Sequence, residues 1–378
     1  MGQMTRSQFR HSGTYSDVRL PDHGGDVWDV SSLLDIPVTS IVDFSASVNP
    51  LGTSPLAADA IRSAIRFLPF YPDNDCSHLK DAIASYIEGV SSENILVGNG
   101  STEIIHLFSQ VFLGPGDEAI ILQPTFSEYE YAITQNGAKP IAVQMEKGFR
   151  LDVEVLLNSV TPRTRAIVLC NPNNPTSTTL SKSDVEEIVK EAAKRRIMVI
   201  LDECFIEFVE DYGRRSLSRD SKDLENLVVL RSLTKVFGLA GLRIGYALGN
   251  KKTMILMNKF KVTWSINTLA QVAGVAALGD AGYLDETKRL IRKERTYLKE
   301  SLSKIGISIT PPKANFILAN LEGRMEAPEL KQRLLTRRIL IRDCSAFRGL
   351  DSRFVRLSVR TRKDNMALLR ALREELRG

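Results

Sequence analysis

The sequence predicts an α/β protein: a large domain with a mostly parallel sheet covered by helices, and a smaller α+β domain. Two observations predict the sheet. Five short apolar runs, Ile95-Leu96-Val97, Ala119-Ile120-Ile121-Leu122, Ala166-Ile167-Val168-Leu169, Ile197-Met198-Val199-Ile200-Leu201 and Leu227-Val228-Val229-Leu230, contain no polar residue. A strand solvated on one face would alternate, so both faces of these are expected to be covered. Helix-length segments separate several of them, as strand–helix–strand units require. A third observation, a change of texture after about residue 270, predicts the smaller domain.

Taken along the chain, residues 1–22 are polar, hold few aliphatic side chains and read as a flexible arm. Residues 51–270 carry the apolar runs and form the expected large domain. Its clearest helix begins at Ser181, with Asp184 three residues on as a capping-box-like signal and Val185, Ile188, Val189 and Ala192 on one stripe. Residues 104–112 form a second helix after Gly98-Asn99-Gly100-Ser101-Thr102-Glu103, whose Ser and Thr are expected to cap it. Beyond residue 270 the helices lengthen and gain Lys and Arg. Strands are expected at 315–319 and 354–360. Residues 271–378, joined by 23–50, are assigned to the small domain.

The 378 residues, 43% of them hydrophobic, can bury a sizeable core. The net charge of +5 comes from Lys and Arg scattered among Asp and Glu, which is no nucleic-acid stripe but suits anionic small substrates. The four cysteines, Cys76, Cys170, Cys204 and Cys344, include no CxxC pair. Neither a disulfide framework nor a metal site is suggested, and a reducing cytoplasm fits. The first ten residues lack an apolar signal region, and no apolar run approaches the ~20 residues of a membrane span.

Candidate site residues fall at the ends of the predicted strands. Gly100, Ser101 and Thr102 follow a strand and open a helix, where free N–H groups make an anion site. Asn174 lies in Asn171-Pro172-Asn173-Asn174-Pro175-Thr176, an irregular loop fixed by two Asn-Pro steps. Asp202 ends a buried strand, where ligands bind in parallel sheets. Lys235 closes Ser232-Leu233-Thr234-Lys235, and Arg243 lies in Gly241-Leu242-Arg243-Ile244-Gly245-Tyr246. Each taken alone is an ordinary turn, cap or surface charge. Together, a lysine, an acid and an arginine are the equipment for pyridoxal 5'-phosphate (PLP). The lysine condenses with its aldehyde, the carboxylate keeps the pyridine nitrogen protonated, and the arginine meets the phosphate.

In order and spacing this set resembles the fold-type I PLP enzymes of the class I/II aminotransferase group, from Phe44 to the C-terminus. The resemblance implies further roles. Phe126 would stack on the pyridine ring. Asn174 would donate to its phenolic oxygen. Ser232 and Arg243 would bind the cofactor phosphate together with Gly100, Ser101 and Thr102. Tyr71 would reach the phosphate of a partner subunit's cofactor, which implies a homodimer with shared active sites. Arg356 would bind the substrate carboxylate as a bidentate pair. One departure is Ser177, where the group usually has glycine after Asn-Pro-Thr.

Fold does not settle the reaction. Three segments bear on it: His23-Gly24-Gly25, whose imidazole and N–H groups could meet a phosphate; Phe205 in Asp202-Glu203-Cys204-Phe205, where histidinol-phosphate aminotransferases have Tyr; and Arg342 with Arg356, two guanidiniums for a doubly anionic substrate. With Trp264-Ser265-Ile266-Asn267 they resemble the L-threonine-O-3-phosphate decarboxylases, which make (R)-1-amino-2-propanol O-2-phosphate for cobalamin biosynthesis. That resemblance implies that His23, Gly24 and Arg342 hold the substrate phosphate and that Arg356 with Asn174 holds the carboxylate. Lys235 and Asp202 would be catalytic. The alternatives are a histidinol-phosphate aminotransferase and a non-enzymatic PLP-binding regulator. Against the latter, the 22-residue arm is too short for a DNA-binding domain.

Overall fold

The computed structural model describes residues 23–376, so the expected arm at 1–22 lies outside the described residues. A short first strand, β1 (Val42–Asp43), precedes the main sheet. That sheet comprises β2 (Ile95–Gly98), β3 (Glu118–Gln123), β4 (Lys139–Gln144), β5 (Thr164–Cys170), β6 (Met198–Asp202), β7 (Leu227–Ser232) and β8 (Gly245–Gly249). Its order is β2-β8-β7-β6-β5-β3-β4. The steps β7-β6-β5-β3-β4 are parallel, and β8 runs antiparallel to both its neighbours. The mostly parallel sheet expected from the unbroken apolar runs is therefore present. All residues of β2, β3, β7 and β8 are buried, as strands covered on both faces must be.

Two strands of the main sheet escaped the sequence reading. β4 is an edge strand in which only Val143 is buried, so it lacks the apolar run of its neighbours. β8, Gly-Tyr-Ala-Leu-Gly, is short and flanked by glycines. The helix Lys182–Lys194 starts as expected: Ser181 Oγ accepts the Asp184 N–H at 3.0 Å, and Val185, Ile188, Val189 and Ala192 are its buried stripe. The helix after β2 needs correction. It begins at Gly100, and Ser101 and Thr102 occupy its first turn instead of capping it. The Glu103 carboxylate does the capping, accepting the Asn99 N–H at 2.5 Å.

The long helix Ala281–Lys304 leads to a second sheet of β9 (Ser308–Ile309), β10 (Phe316–Asn320), β12 (Arg342–Asp343) and β13 (Phe354–Ser358), in the order β12-β13-β10-β9. Between β10 and β12, β11 (Ile339–Leu340) pairs in parallel with β1. The pairing of β1 with β11 sets residues 42–47 alongside the second sheet. Asn315 Nδ2 donates to the Ser47 carbonyl, and the Ser358 N–H donates to the Phe44 carbonyl.

Ser177 explains its own departure from glycine. It sits at φ +61°, a left-handed conformation that glycine adopts without cost. Its buried Oγ accepts from the Lys313 and Ala314 N–H groups at 3.1 and 2.9 Å. The hydroxyl thus ties the 171–176 loop to the segment entering β10, a link glycine lacks. Among the described residues no helix is long and apolar enough to cross a membrane.

Candidate active site

A cavity of about 270 Å³ opens at the C-terminal ends of β5, β6 and β7, and residues from both sheets line it. His23, Gly24, Ser101, Thr102, Phe126, Asn174, Asp202, Lys235, Arg243, Arg342 and Arg356, all expected site residues, are in its wall. Cys204, Phe205, Thr234 and Phe347 line it too. Three expected residues do not. Gly100 lies under Arg243, Ser232 lies behind the wall, and Tyr71 is exposed on the surface.

The floor is built by strand ends. Asp202 is the last residue of β6 and is 6% exposed. Tyr129 Oη donates to its Oδ2 at 2.7 Å and the Cys204 N–H to its Oδ1 at 2.9 Å. Tyr129 went unnoticed in the sequence. Its only signal was a place one helical turn after Phe126, and its partner is 73 residues away. Burial holds the Tyr129 phenol well above its usual range, so it remains a donor. Lys235 follows β7 on a four-residue helix, with Nζ 5.7 Å from the Phe205 ring centroid. Among the described residues Nζ has no hydrogen-bond partner. Desolvation pushes its ammonium down to about 8, with Arg356 and Arg243 adding to the fall and Cys204 and Asp202 opposing it. A lysine so poised is an available amine near neutral pH.

One side of the cavity is a cradle for an anion. Gly100 has φ +78°, and a Cβ there would lie 2.5 Å from Arg243 Nη2. A Cβ at Gly245 would lie 2.6 Å from the Ser101 N. Both glycines are needed for the close approach of Arg243, β8 and the helix start. The Ser232 hydroxyl pairs with Thr234 Oγ1 at 2.6 Å, so Thr234, which the sequence reading passed over, carries that hydroxyl pair to the cavity wall. The opposite side carries the arginines. Arg342 and Arg356 are directly paired across β12 and β13. Arg356 donates through Nη1 to Asn174 Oδ1 and through Nη2 to the Ser45 carbonyl, while its buried Nε has no partner among the described residues. Burial lowers its guanidinium to about 10, where it stays charged. Arg360 points elsewhere, to Asp364 and the Asp43 carbonyl.

At the mouth, the Gly24 Cα packs on the Ser45 carbonyl, which a Cβ would meet at 2.5 Å, and the Gly25 N–H donates to Ser45 Oγ at 2.8 Å. His23, expected to face an anion, lines the cavity, and its Nε2 lies 3.0 Å from Glu128 Oε2. Its ring is 5.5 Å from Phe126. Glu128 gave no sign of this in the sequence.

The residues present fit PLP. A half-buried lysine without a hydrogen-bond partner among the described residues, a carboxylate held by two donors, an aromatic wall and a glycine-cleared arginine cradle are the donor set it requires.

A family-wide profile, aminotransferase class I and II, matches residues 39–372. A histidinol-phosphate aminotransferase of Moorella thermoacetica is 34% identical over 343 residues, 90% of this chain and 87% of that protein. A protein of Caldanaerobacter subterraneus subsp. tengcongensis named "Putative threonine-phosphate decarboxylase" is 36% identical over 355 residues, 93% of each chain. The crystal structure of histidinol-phosphate aminotransferase from Clostridium acetobutylicum superposes with a TM-score of 0.82 at 31% identity, over 89% of this chain and 99% of that one. This chain belongs to the aminotransferase class I and II family, and pyridoxal 5'-phosphate is its expected cofactor.

Proposed function

We propose that the protein decarboxylates L-threonine O-3-phosphate to (R)-1-amino-2-propanol O-2-phosphate and CO₂, a step of cobalamin biosynthesis. The observation that carries this reading is the register pair Arg342 and Arg356, which gives the cavity lined by Lys235 two neighbouring guanidiniums. A substrate with two separate anions satisfies both.

Bound PLP supplies an electron sink for the bond broken at Cα. Lys235 would hold it covalently, Asp202 would keep its ring nitrogen protonated, and Phe126 would stack on its face. Asn174 would donate to its phenolic oxygen. Ser101, Thr102, Thr234 and Arg243 would hold its phosphate, with Gly100 leaving room for Arg243 and Ser232 fixing the Thr234 hydroxyl from behind the wall. Arg356 would grip the substrate carboxylate, with Asn174 fixing the guanidinium plane. Arg342, His23 and the Gly24 backbone would take the substrate phosphate. Heterolysis of the Cα–carboxylate bond releases CO₂ and leaves its electron pair at Cα. Lys235, freed once the substrate amine has displaced it, would then deliver the proton that replaces the carboxylate.

Phe205 separates this reading from the transaminases. It packs edge-on against Phe316, 5.0 Å between centroids, and has no hydroxyl for the cofactor's phenolic oxygen. The second reading, histidinol-phosphate aminotransferase, is favoured by the names of several relatives of comparable identity. The protein acts as a homodimer in this account. Exposed Phe70, Tyr71, Val262 and Trp264, with Tyr71 stacked on Trp264 at 4.4 Å, supply an apolar surface for it, and Tyr71 would reach the partner's cofactor phosphate.

The test incubates PLP-loaded protein with L-threonine O-3-phosphate, and separately with histidinol phosphate and 2-oxoglutarate. Phosphorylated aminopropanol, absent with Lys235→Ala, is expected from the first. Glutamate from the second, with no decarboxylated product from the first, would move the protein to the aminotransferases.

A further inference from the structure

His23, Glu128 and His106 form a hydrogen-bonded chain of which the proposed chemistry uses only His23. Glu128 is 5% exposed and is the second residue of the helix Ser127–Gln135, directly after Phe126. One carboxylate oxygen meets His23 Nε2 at 3.0 Å and the other meets His106 Nε2 at 2.7 Å. His106 belongs to the helix Gly100–Phe112 and lies edge-on to Tyr131, 5.8 Å between centroids. His23 lines both the cofactor cavity and a larger neighbouring one; His106 lines only the latter.

We propose that Glu128 is a positioning residue for the substrate's second anion: by anchoring His23 to His106 it aims the His23 imidazole at a phosphate and so sets the preference for phosphorylated substrates. This rests on the reading that His23 faces the substrate phosphate.

The chemistry of the three groups supports it. A carboxylate only accepts hydrogen bonds, so each imidazole must present an N–H through Nε2. That assignment fixes the His23 tautomer and leaves Nδ1 as its remaining ring nitrogen; protonated, Nδ1–H is a donor for an anion. Burial pushes the Glu128 carboxyl up, but the hydrogen bonds from His106 and His23 outweigh it and bring it to about 2. The anchor is therefore ionised at any working pH. Ser45 restrains the same segment from the other side, through the close approach of Gly24 and the Gly25 N–H. Ser45 also accepts from Arg356 Nη2. The proposed sites for the two substrate anions thus share one support. Glu128 holds the His23 ring while Ser45 holds the two glycines that follow it.

The test measures binding of two amines to the full-length, PLP-loaded protein: 1-amino-2-propanol O-2-phosphate and 1-amino-2-propanol. Neither has a carboxylate to lose, so binding is read without turnover. Glu128→Gln keeps the shape but offers one acceptor and one donor, so it cannot accept from both imidazoles. We expect its affinity for the phosphorylated amine to fall on the order of tenfold, the scale of a charge-assisted hydrogen bond, with the unphosphorylated amine unchanged. KM for L-threonine O-3-phosphate should rise while kcat holds. An equal loss for both amines, or no loss for either, overturns the proposal. If Glu128→Gln does not retain cofactor, His106→Asn carries the test, with the same selective loss expected and an unselective one overturning it. Wild-type protein with no preference for the phosphorylated amine would sink the substrate reading itself, before any variant is made. Histidinol phosphate turned over in place of threonine phosphate would change the reaction but leave the Glu128 comparison in force.

Discussion

Tyr129→Phe removes one oxygen from the floor of the site, and its effect can be worked out. The Tyr129 hydroxyl is buried and donates to Asp202 Oδ2 at 2.7 Å, while Oδ1 keeps the Cys204 N–H at 2.9 Å. A hydrogen bond to a charged group contributes about 1.5–3 kcal/mol. No water can replace the lost donor without room beside a ring that is 1% exposed. Taking about 2 kcal/mol and about 2.1 cal/mol/K per residue over 378 residues, Tm should fall by about 2–3 °C. The same loss leaves Asp202 Oδ2 without its anchor, so the carboxylate is less well placed for a pyridinium. PLP affinity should fall by up to about 30-fold, the equivalent of 2 kcal/mol. Differential scanning calorimetry and equilibrium release of PLP, followed by its absorbance, measure both. Unchanged affinity in a variant with lowered Tm would refute the positioning of Asp202 by Tyr129, leaving the tyrosine a packing residue. No change in either would refute the hydrogen bond.

Ser177→Ala loses the acceptor for the Ala314 N–H and keeps the strained φ, whereas Ser177→Gly loses the acceptor but relieves the strain. Thermal melts should rank wild type above Gly and Gly above Ala, with the last two about 1 kcal/mol apart; the reverse order would refute the reading of this loop. The lowered Lys235 ammonium predicts how apoprotein captures PLP. The neutral amine is the nucleophile, so the rate should rise with pH and level off above about 8; a rate still climbing at pH 10 would mean an ordinary lysine. Arg231, 1% exposed, lies between buried Glu203 and Glu207. Arg231→Met leaves two uncompensated carboxylates and should cost about 3–5 kcal/mol. Burial already holds the Glu203 carboxyl above its usual range, with Arg231 opposing the rise; without Arg231 it would rise further, so the variant should lose further stability as pH rises, and equal loss at pH 6 and 8 would contradict this.

What could be read from the sequence follows the range of the interactions. β2, β3, β5, β6 and β7 were legible because the middle of a strand covered on both faces is an unbroken apolar run. β4 was not, because an edge strand with one buried residue carries no such run. The strand-end residues Asp202 and Lys235 were found because chain order places them at sheet edges. Glu128 and Tyr129 were missed because their partners, 105 and 73 residues away, are set by how the helix Ser127–Gln135 lies across the sheet. The capping of the helix after β2 was misread for a local reason: Gly100 turns the chain early at φ +78°, drawing Ser101 and Thr102 into the first turn and leaving Glu103 to accept the Asn99 N–H.

The central claim is that the bond broken is the one to the carboxylate. L-threonine O-3-phosphate labelled with ¹³C at that carbon, incubated with PLP-loaded protein and followed by ¹³C NMR, tests it directly. The account predicts that the label appears as bicarbonate and CO₂, one for each phosphorylated amine formed. Label retained in a 2-oxo acid, formed only when an amino acceptor is added, would contradict it.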